Sequence, residues 1–121
     1  MILRTELPYP PSINHYYIRS RNGVVLGARA KKYRKDVMIL CNKHRGAFTK
    51  DDRLSLTINA FPPDKRWRDL DNLGKAIMDG LEHAGVFPND NQIDVLNIIR
   101  RSIEKPYGLI YIWLTTCSSN E

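Results

Sequence analysis

The chain has 121 residues, 42% of them hydrophobic, and a formal net charge of +6, which fits one compact domain over residues 1–121 with a single core. No apolar run approaches the roughly 20 residues that span a bilayer and no leader-like segment opens the chain, so the expectation is a cytoplasmic protein with no membrane contact; Cys41 and Cys117, in no CxxC or Cys/His grouping, argue against a disulfide framework or a zinc site. Residues 1–50 carry a net +9 and residues 51–121 a net −3, a split that suits a phosphate-rich partner plus something that neutralises carboxylates, the alternative being basicity that serves solubility alone.

"ILRTEL" alternates apolar and polar residues and predicts a short strand. It runs into "PYPPSINHYY", where three prolines forbid a helix. In "IRSRNGVVLG", Asn22-Gly23 signals a tight turn between short extended pieces. From Ala28 to His44 the spacing predicts a helix with Tyr33, Val37, Leu40 and Cys41 on one face and Arg29, Lys32, Arg34 and Lys35 elsewhere; Gly46 is its expected stop.

"RLSLTINAF" gives the cleanest alternation, with Leu54, Leu56, Ile58 and Ala60 on one side of a half-buried strand. Pro62 and Pro63 end it, and a charged loop leads to a second predicted helix over 71–84, with Leu73, Ile77, Leu81 and Ala84 as its apolar stripe and Gly85 as its C-terminal cap. Two β-rich runs follow, Ile93–Ile103 and Leu109–Thr115, read as a terminal hairpin around "EKPYG". The order β-α-β-α-β-β predicts a small α+β domain with a mixed sheet and two helices, the β-α-β crossover allowing one parallel pair. In the last strand Leu109, Ile110, Ile112, Trp113 and Leu114 suit core plus interface, or an ordinary buried strand.

The chemistry-bearing stretch is "KRWRDLDNLGKA", where Asp69 and Asp71 stand two apart at the start of the second helix. Close carboxylates repel unless a cation lies between them, and Mg²⁺ prefers a few carboxylates with waters and phosphate oxygens. Asp90, after the helix, is a third acid, which reaches the pair only if the returning chain carries it back along a helix of roughly 20 Å. Other readings stand beside this one: Asp71 as a helix cap, Asp69 as a partner of Arg66 or Arg68, Asp90 as a turn residue, and Lys75 as part of an Asp71–Lys75–Asp79 helix ladder.

"PYPPSINHYY" followed by "RDLDNLGKAIMDGLEHAGVFPNDNQI" resembles the RusA family of Holliday junction resolvases, over nearly the whole chain from Leu7 to Thr115. The ordered block from Arg68 through Asp69, Asp71, Asn72, Lys75 and Asp79 to Asp90 and Gln92 carries the resemblance. It implies a homodimeric, Mg²⁺-dependent endodeoxyribonuclease of bacterial, phage or prophage setting, which nicks opposed strands of a four-way DNA junction in recombination and repair, leaving 5′-phosphates. By the same likeness Asp69, Asp71 and Asp90 are the metal-binding catalytic acids, holding one or two Mg²⁺ (Mn²⁺ as a substitute), and Lys75 is the active-site lysine. Trp67 interrupts an arginine run and Asn89 stands where relatives often have an aspartate, two departures from the family pattern.

Arg29, Lys31, Lys32, Arg34 and Lys35, with Lys65, Arg66 and Arg68, are the expected phosphate-contacting cations. Tyr16, Tyr17 and Trp67 suit either stacking at a branch point or a core or interface role. The competing functions are a non-catalytic DNA-binding module and a nuclease with a preference for flaps or forks.

Overall fold

The computed structural model describes residues 2–12, 17–21, 23–66 and 70–117, with position 71 described by its backbone alone. The strands are β1 (Ile2–Leu7), β2 (Tyr17–Ser20), β3 (Gly23–Leu26), β4 (Leu54–Phe61), β5 (Ile93–Arg100) and β6 (Leu109–Thr116); the helices are α1 (Ala28–Leu40) and α2 (Leu70–His83). The architecture is the expected α+β domain with a mixed four-stranded sheet, ordered β1-β6-β4-β5. None of the described helices is long and apolar enough to cross a membrane.

β4 is the centre of the sheet because its alternation supplies a continuous apolar face: Leu54, Leu56, Ile58 and Ala60 are buried. Opposite them on β6, Leu114, Ile112 and Ile110 pair in antiparallel register with Leu56, Ile58 and Ala60 and are equally buried. β5 lies parallel to β4 on its other side, with α2 as the crossover, as the β-α-β order predicts. The expected β5–β6 hairpin does not form. β6, whose Ile110, Ile112 and Leu114 are sealed in the core, takes the interior place between β1 and β4, and β5 is left as an edge with Val95, Leu96 and Ile99 exposed.

The link from β5 to β6 therefore climbs over the end of β4. The N–H of Arg101 donates to the carbonyl of Ala60 at 2.8 Å and that of Glu104 to Pro62 at 2.8 Å, so β5 stops at Arg100 rather than Ile103. Gly108 closes this climb at φ +74, and a Cβ there would stand 2.9 Å from the Phe61 carbonyl oxygen.

Both helices pack on the apolar face of the sheet through Tyr33, Val37, Leu73, Ile77 and Leu81. α1 ends at Leu40, and a 3₁₀ turn over Asn42–His44 continues it, so the helix is shorter than the predicted 28–44. As a result Leu40 is 48% exposed and Cys41 takes the core position, where burial pushes its thiol pKa up. α2 ends as predicted: Gly85, at φ +78, donates to Glu82 and Val86 donates to Leu81, a Schellman cap whose Leu81 and Val86 are buried together.

The helices are clamped by a fork in which Arg34 Nε and an Arg34 terminal nitrogen donate to the two oxygens of Asp79 at 2.7 and 2.8 Å. The Tyr33 hydroxyl donates to the Pro8 carbonyl at 2.9 Å and fixes the proline-rich segment onto α1. β2 and β3 form a separate two-stranded sheet, which agrees with the expected short extended pieces; Asn22 of the expected turn lies outside the described residues. On the sheet face away from the helices, Trp113 is 44% exposed, with Arg4 5.2 Å over its ring and Tyr111 edge-on to it.

Candidate active site

Crossover topology decides which residues meet. β4 runs out into the loop that leads to α2, and α2 carries the chain back to the beginning of β4, where Ile93 opens β5 beside Leu54. β5 then returns and ends with Arg100 beside Ala60. The start of α2 and the carboxyl ends of β4 and β5 therefore share one edge of the sheet, the usual ligand edge of parallel strands.

Asp71 stands inside the first turn of α2, which begins at Leu70, so the helix-cap reading does not hold for it. Asp69, Arg68 and Trp67 lie outside the described residues. Lys75 follows one turn later, exposed, with its Nζ 5.1 Å from the centroid of the Tyr17 ring. Tyr17 and Leu26 of the small sheet pack on a buried pair, Ala30 and Ala76, so the ring has a fixed seat beside α2. The other end of the expected ladder, Asp79, accepts the Arg34 fork.

Asp90 is at the opposite end of α2. Fourteen helical residues separate the two edges, about 20 Å by the helix rise. The returning chain does run back along α2, but what it brings to the helix start is Ile98 and Arg100, not Asp90; a Cβ on Gly74 would stand 2.7 Å from Ile98 Cδ1.

The turn that presents Asp90 is held from three directions. The Asp90 N–H donates to Glu82 Oε1 at 2.7 Å. Asn89 Oδ1 accepts from the Asn91 N–H at 2.9 Å, and Gln92 Oε1 accepts from the Asn89 N–H at 3.0 Å, a reciprocal cap that occupies the Asn89 side chain. Gln92, only 2% exposed, also donates through Nε2 to the carbonyls of Thr49 and Asp52 at 2.8 and 2.7 Å. Arg53 donates to the Asn91 carbonyl at 3.2 Å and forks onto Asp94, whose carboxyl its hydrogen bonds hold below the usual carboxylate range.

The Asp90 carboxylate itself is exposed and has no hydrogen-bond partner among the described residues. Also among the described residues, no three His, Cys, Asp or Glu side chains gather as a metal-ligand group.

The cations sort into three sets. Arg29, Lys31 and Lys35 are exposed on α1. Lys32 is exposed but paired with Asp36 at 2.7 Å, and Arg34 is half-buried in its fork to Asp79. Lys65 and Arg66 line one cleft together with Arg100 and Arg101, a pair that the sequence pattern hides inside the run taken for β5.

The family model described as endodeoxyribonuclease RusA matches residues 8–112. The chain belongs to the RusA family. It is 40% identical over 114 residues to the crossover junction endodeoxyribonuclease rusA of Enterobacteria phage HK97, covering 93% of each chain. It is 32% identical over 99 residues to the proteins of the same name from Escherichia coli K12 and from Enterobacteria phage 82, covering 82% of each. The resemblance carried by the motif block is thus borne out.

Within this RusA-family chain the structure gives Gln92 a job that spacing left blank: it anchors the turn of Asp90 from inside the core. Asn89 is the residue whose side chain caps that turn. Tyr16, like Trp67, lies outside the described residues.

Proposed function

We propose that the protein is a divalent-metal-dependent endodeoxyribonuclease that cuts four-way DNA junctions as a homodimer, with each active site shared between two copies. The observation that carries the shared site is Asp90: exposed, without a described partner, rigidly held, and at the far end of α2 from Asp71. A two-fold dimer that sets the Asp90 edge of one copy against the Asp71 edge of the other makes two equivalent sites, one for each strand to be cut. The names of the relatives support the junction as substrate.

Asp69 and Asp71 from one copy and Asp90 from the other would hold the metal. Three carboxylates are the hard oxygen donors that Mg²⁺ takes, and Mn²⁺ shares that preference. When bound, the metal supplies a Lewis acid and an acidified water for attack on phosphorus, giving 5′-phosphate and 3′-hydroxyl ends. Lys75 places a positive charge one turn from Asp71, where negative charge builds on the phosphoryl oxygens. Arg29, Lys31, Lys35, Lys65, Arg66 and Arg68 hold backbone phosphates without reading sequence; Arg34 and Lys32 serve their ion pairs first. The setting is the cytoplasm of a bacterial host, with the gene in a phage or prophage, and residues 1–121 act as one domain.

The test is cleavage of four-way, three-way and linear duplexes side by side, with Mg²⁺ and with chelator. Paired nicks in the four-way substrate that vanish with chelator are the expected result. Equal rates on all substrates would overturn the junction assignment, and no cleavage with either Mg²⁺ or Mn²⁺ would leave a DNA-binding module.

Tyr17 gives a smaller, separate expectation. Tyr17→Leu removes the ring that holds Lys75 and is expected to slow cleavage by roughly two- to five-fold, the range of an exposed cation–π contact, while Tyr17→Phe keeps the rate. The proton shifts of the Lys75 ε-methylene check the geometry: the upfield displacement by the ring should survive in Phe and disappear in Leu.

A further inference from the structure

We infer that the cleft between the loop after β4 and the segment after β5 is a seat for a DNA backbone phosphate, with Arg100 and Arg101 as its principal ligands. The inference rests on the reading that the substrate is DNA, and it adds a phosphate contact on the same edge of the sheet as the start of α2.

Four observations point there. The cleft lies at the carboxyl ends of β4 and β5, the parallel pair, on the same edge as the start of α2. Four cations, Lys65, Arg66, Arg100 and Arg101, line its volume of about 390 Å³, against a single acid, Asp64. Asp64 is already committed, accepting from the Arg66 backbone N–H at 2.9 Å and from its guanidinium at 3.3 Å, so the cleft keeps a net positive charge. The remaining wall includes Tyr9, Pro62 and Ile103, whose low polarity strengthens the attraction between a seated anion and the arginines.

Arg101 is preorganised for the role. Its backbone N–H is bonded to Ala60 and its Nε donates to Asn59 Oδ1 at 2.9 Å. Asn59, 6% exposed, is itself oriented by a bond from its Nδ2 to the Tyr111 carbonyl at 3.4 Å. This fixes the guanidinium plane through Nε while the two terminal nitrogens have no described partner, which lowers the ordering cost of gripping a phosphate. A lysine has no planar fork to be held in this way.

The experiment compares wild type, Arg100→Gln, and the double variant with Arg101→Gln for binding to a synthetic four-way junction without divalent metal, across a salt series. Each phosphate contact contributes close to one unit to the slope of log affinity against log salt. A dimer presents two such seats, so the double variant is expected to flatten the slope by about two and Arg100→Gln, which leaves Arg101 at each phosphate, by a measurable part of that, with roughly ten-fold weaker binding of the double variant at physiological salt.

Cleavage at saturating protein in Mg²⁺ reads the chemistry apart from affinity. A fall in the saturated rate at unchanged affinity and slope would overturn the seat and place the arginines in the chemistry. Unchanged slope and affinity in folded Arg100→Gln would also overturn it, and that variant keeps the test independent of the Arg101–Asn59 bond. A wild-type protein that binds no branched DNA fails the underlying functional reading instead, a distinct result.

Discussion

Mixed in equal amounts, Asp71→Asn and Asp90→Asn chains, each inactive alone, are expected to regain cleavage. Each substitution removes a carboxylate from both sites of its own dimer and should cost at least about a hundred-fold in rate, while junction binding survives. In a mixed dimer with shared sites, one site collects both asparagines and the other keeps both aspartates. With free exchange about half the dimers are mixed, so about a quarter of all sites are intact, and each mixed dimer nicks one strand where wild type nicks two. Denaturing gels of end-labelled junctions separate these outcomes. If tagged chains are seen to exchange and no activity returns, Asp71 and Asp90 do not meet across two copies, and the shared site is wrong. The expectation depends on the 14-residue length of α2, which keeps Asp90 away from Asp71 within one chain.

Gln92→Ala is expected to be the most damaging polar substitution outside the carboxylates. The side chain makes three bonds of 2.7 to 3.0 Å from a nearly sealed position; its loss strands the Asn89 N–H and the Asp52 carbonyl and leaves the Thr49 carbonyl with only the Asp52 N–H at 3.2 Å. At the usual worth of a buried hydrogen bond this is about 2–4 kcal/mol, a fall in Tm of roughly 10 °C for a chain of this size. Gln92→Glu is expected to fare no better, since a carboxylate oxygen then faces the Thr49 and Asp52 carbonyls. Cleavage at a temperature where the variant is folded should still be reduced, because the turn that aims Asp90 has lost its anchor. Thermal unfolding that matches wild type would contradict this account of the Asp90 turn.

What the sequence disclosed tracks how local each determinant is. β4 and the stripe of α2 are written in periods of 2.0 and 3.6, so Leu54, Leu56 and Ile58, and Leu73, Ile77 and Leu81, could be placed without knowing their partners. The neighbour of β6 is a non-local choice: nothing within "GLIYIWLTT" says that it sits between β1 and β4 rather than beside β5. The same limit hid the placement of Asp90. Spacing allowed a return path along α2 but did not say which end of β5 the path would deliver to the helix start.

Charge patterns misled where tertiary partners intervene. Arg34 reads as one of a solvated basic run, yet Asp79, on the other helix, claims it. Arg100 and Arg101 were concealed for the opposite reason: assigned to a strand reaching Ile103, they gave no sign that the strand ends between them and that both line the cleft beside Lys65 and Arg66.

The position of β6 between β1 and β4 has a consequence for how the protein is made. On the ribosome β1 emerges first and β4 long before β6, so the strand that joins them arrives after every other element of the sheet. Until Leu109–Thr116 is free, β1 has no hydrogen-bonded neighbour and one flank of β4 is bare. The nascent chain is thus confined to partial structure with exposed strand edges, and completion of the sheet is a late, long-range closure of the kind that slows folding. A polypeptide stalled before residue 109 would lack the Ile110, Ile112 and Leu114 face that closes the core against β4.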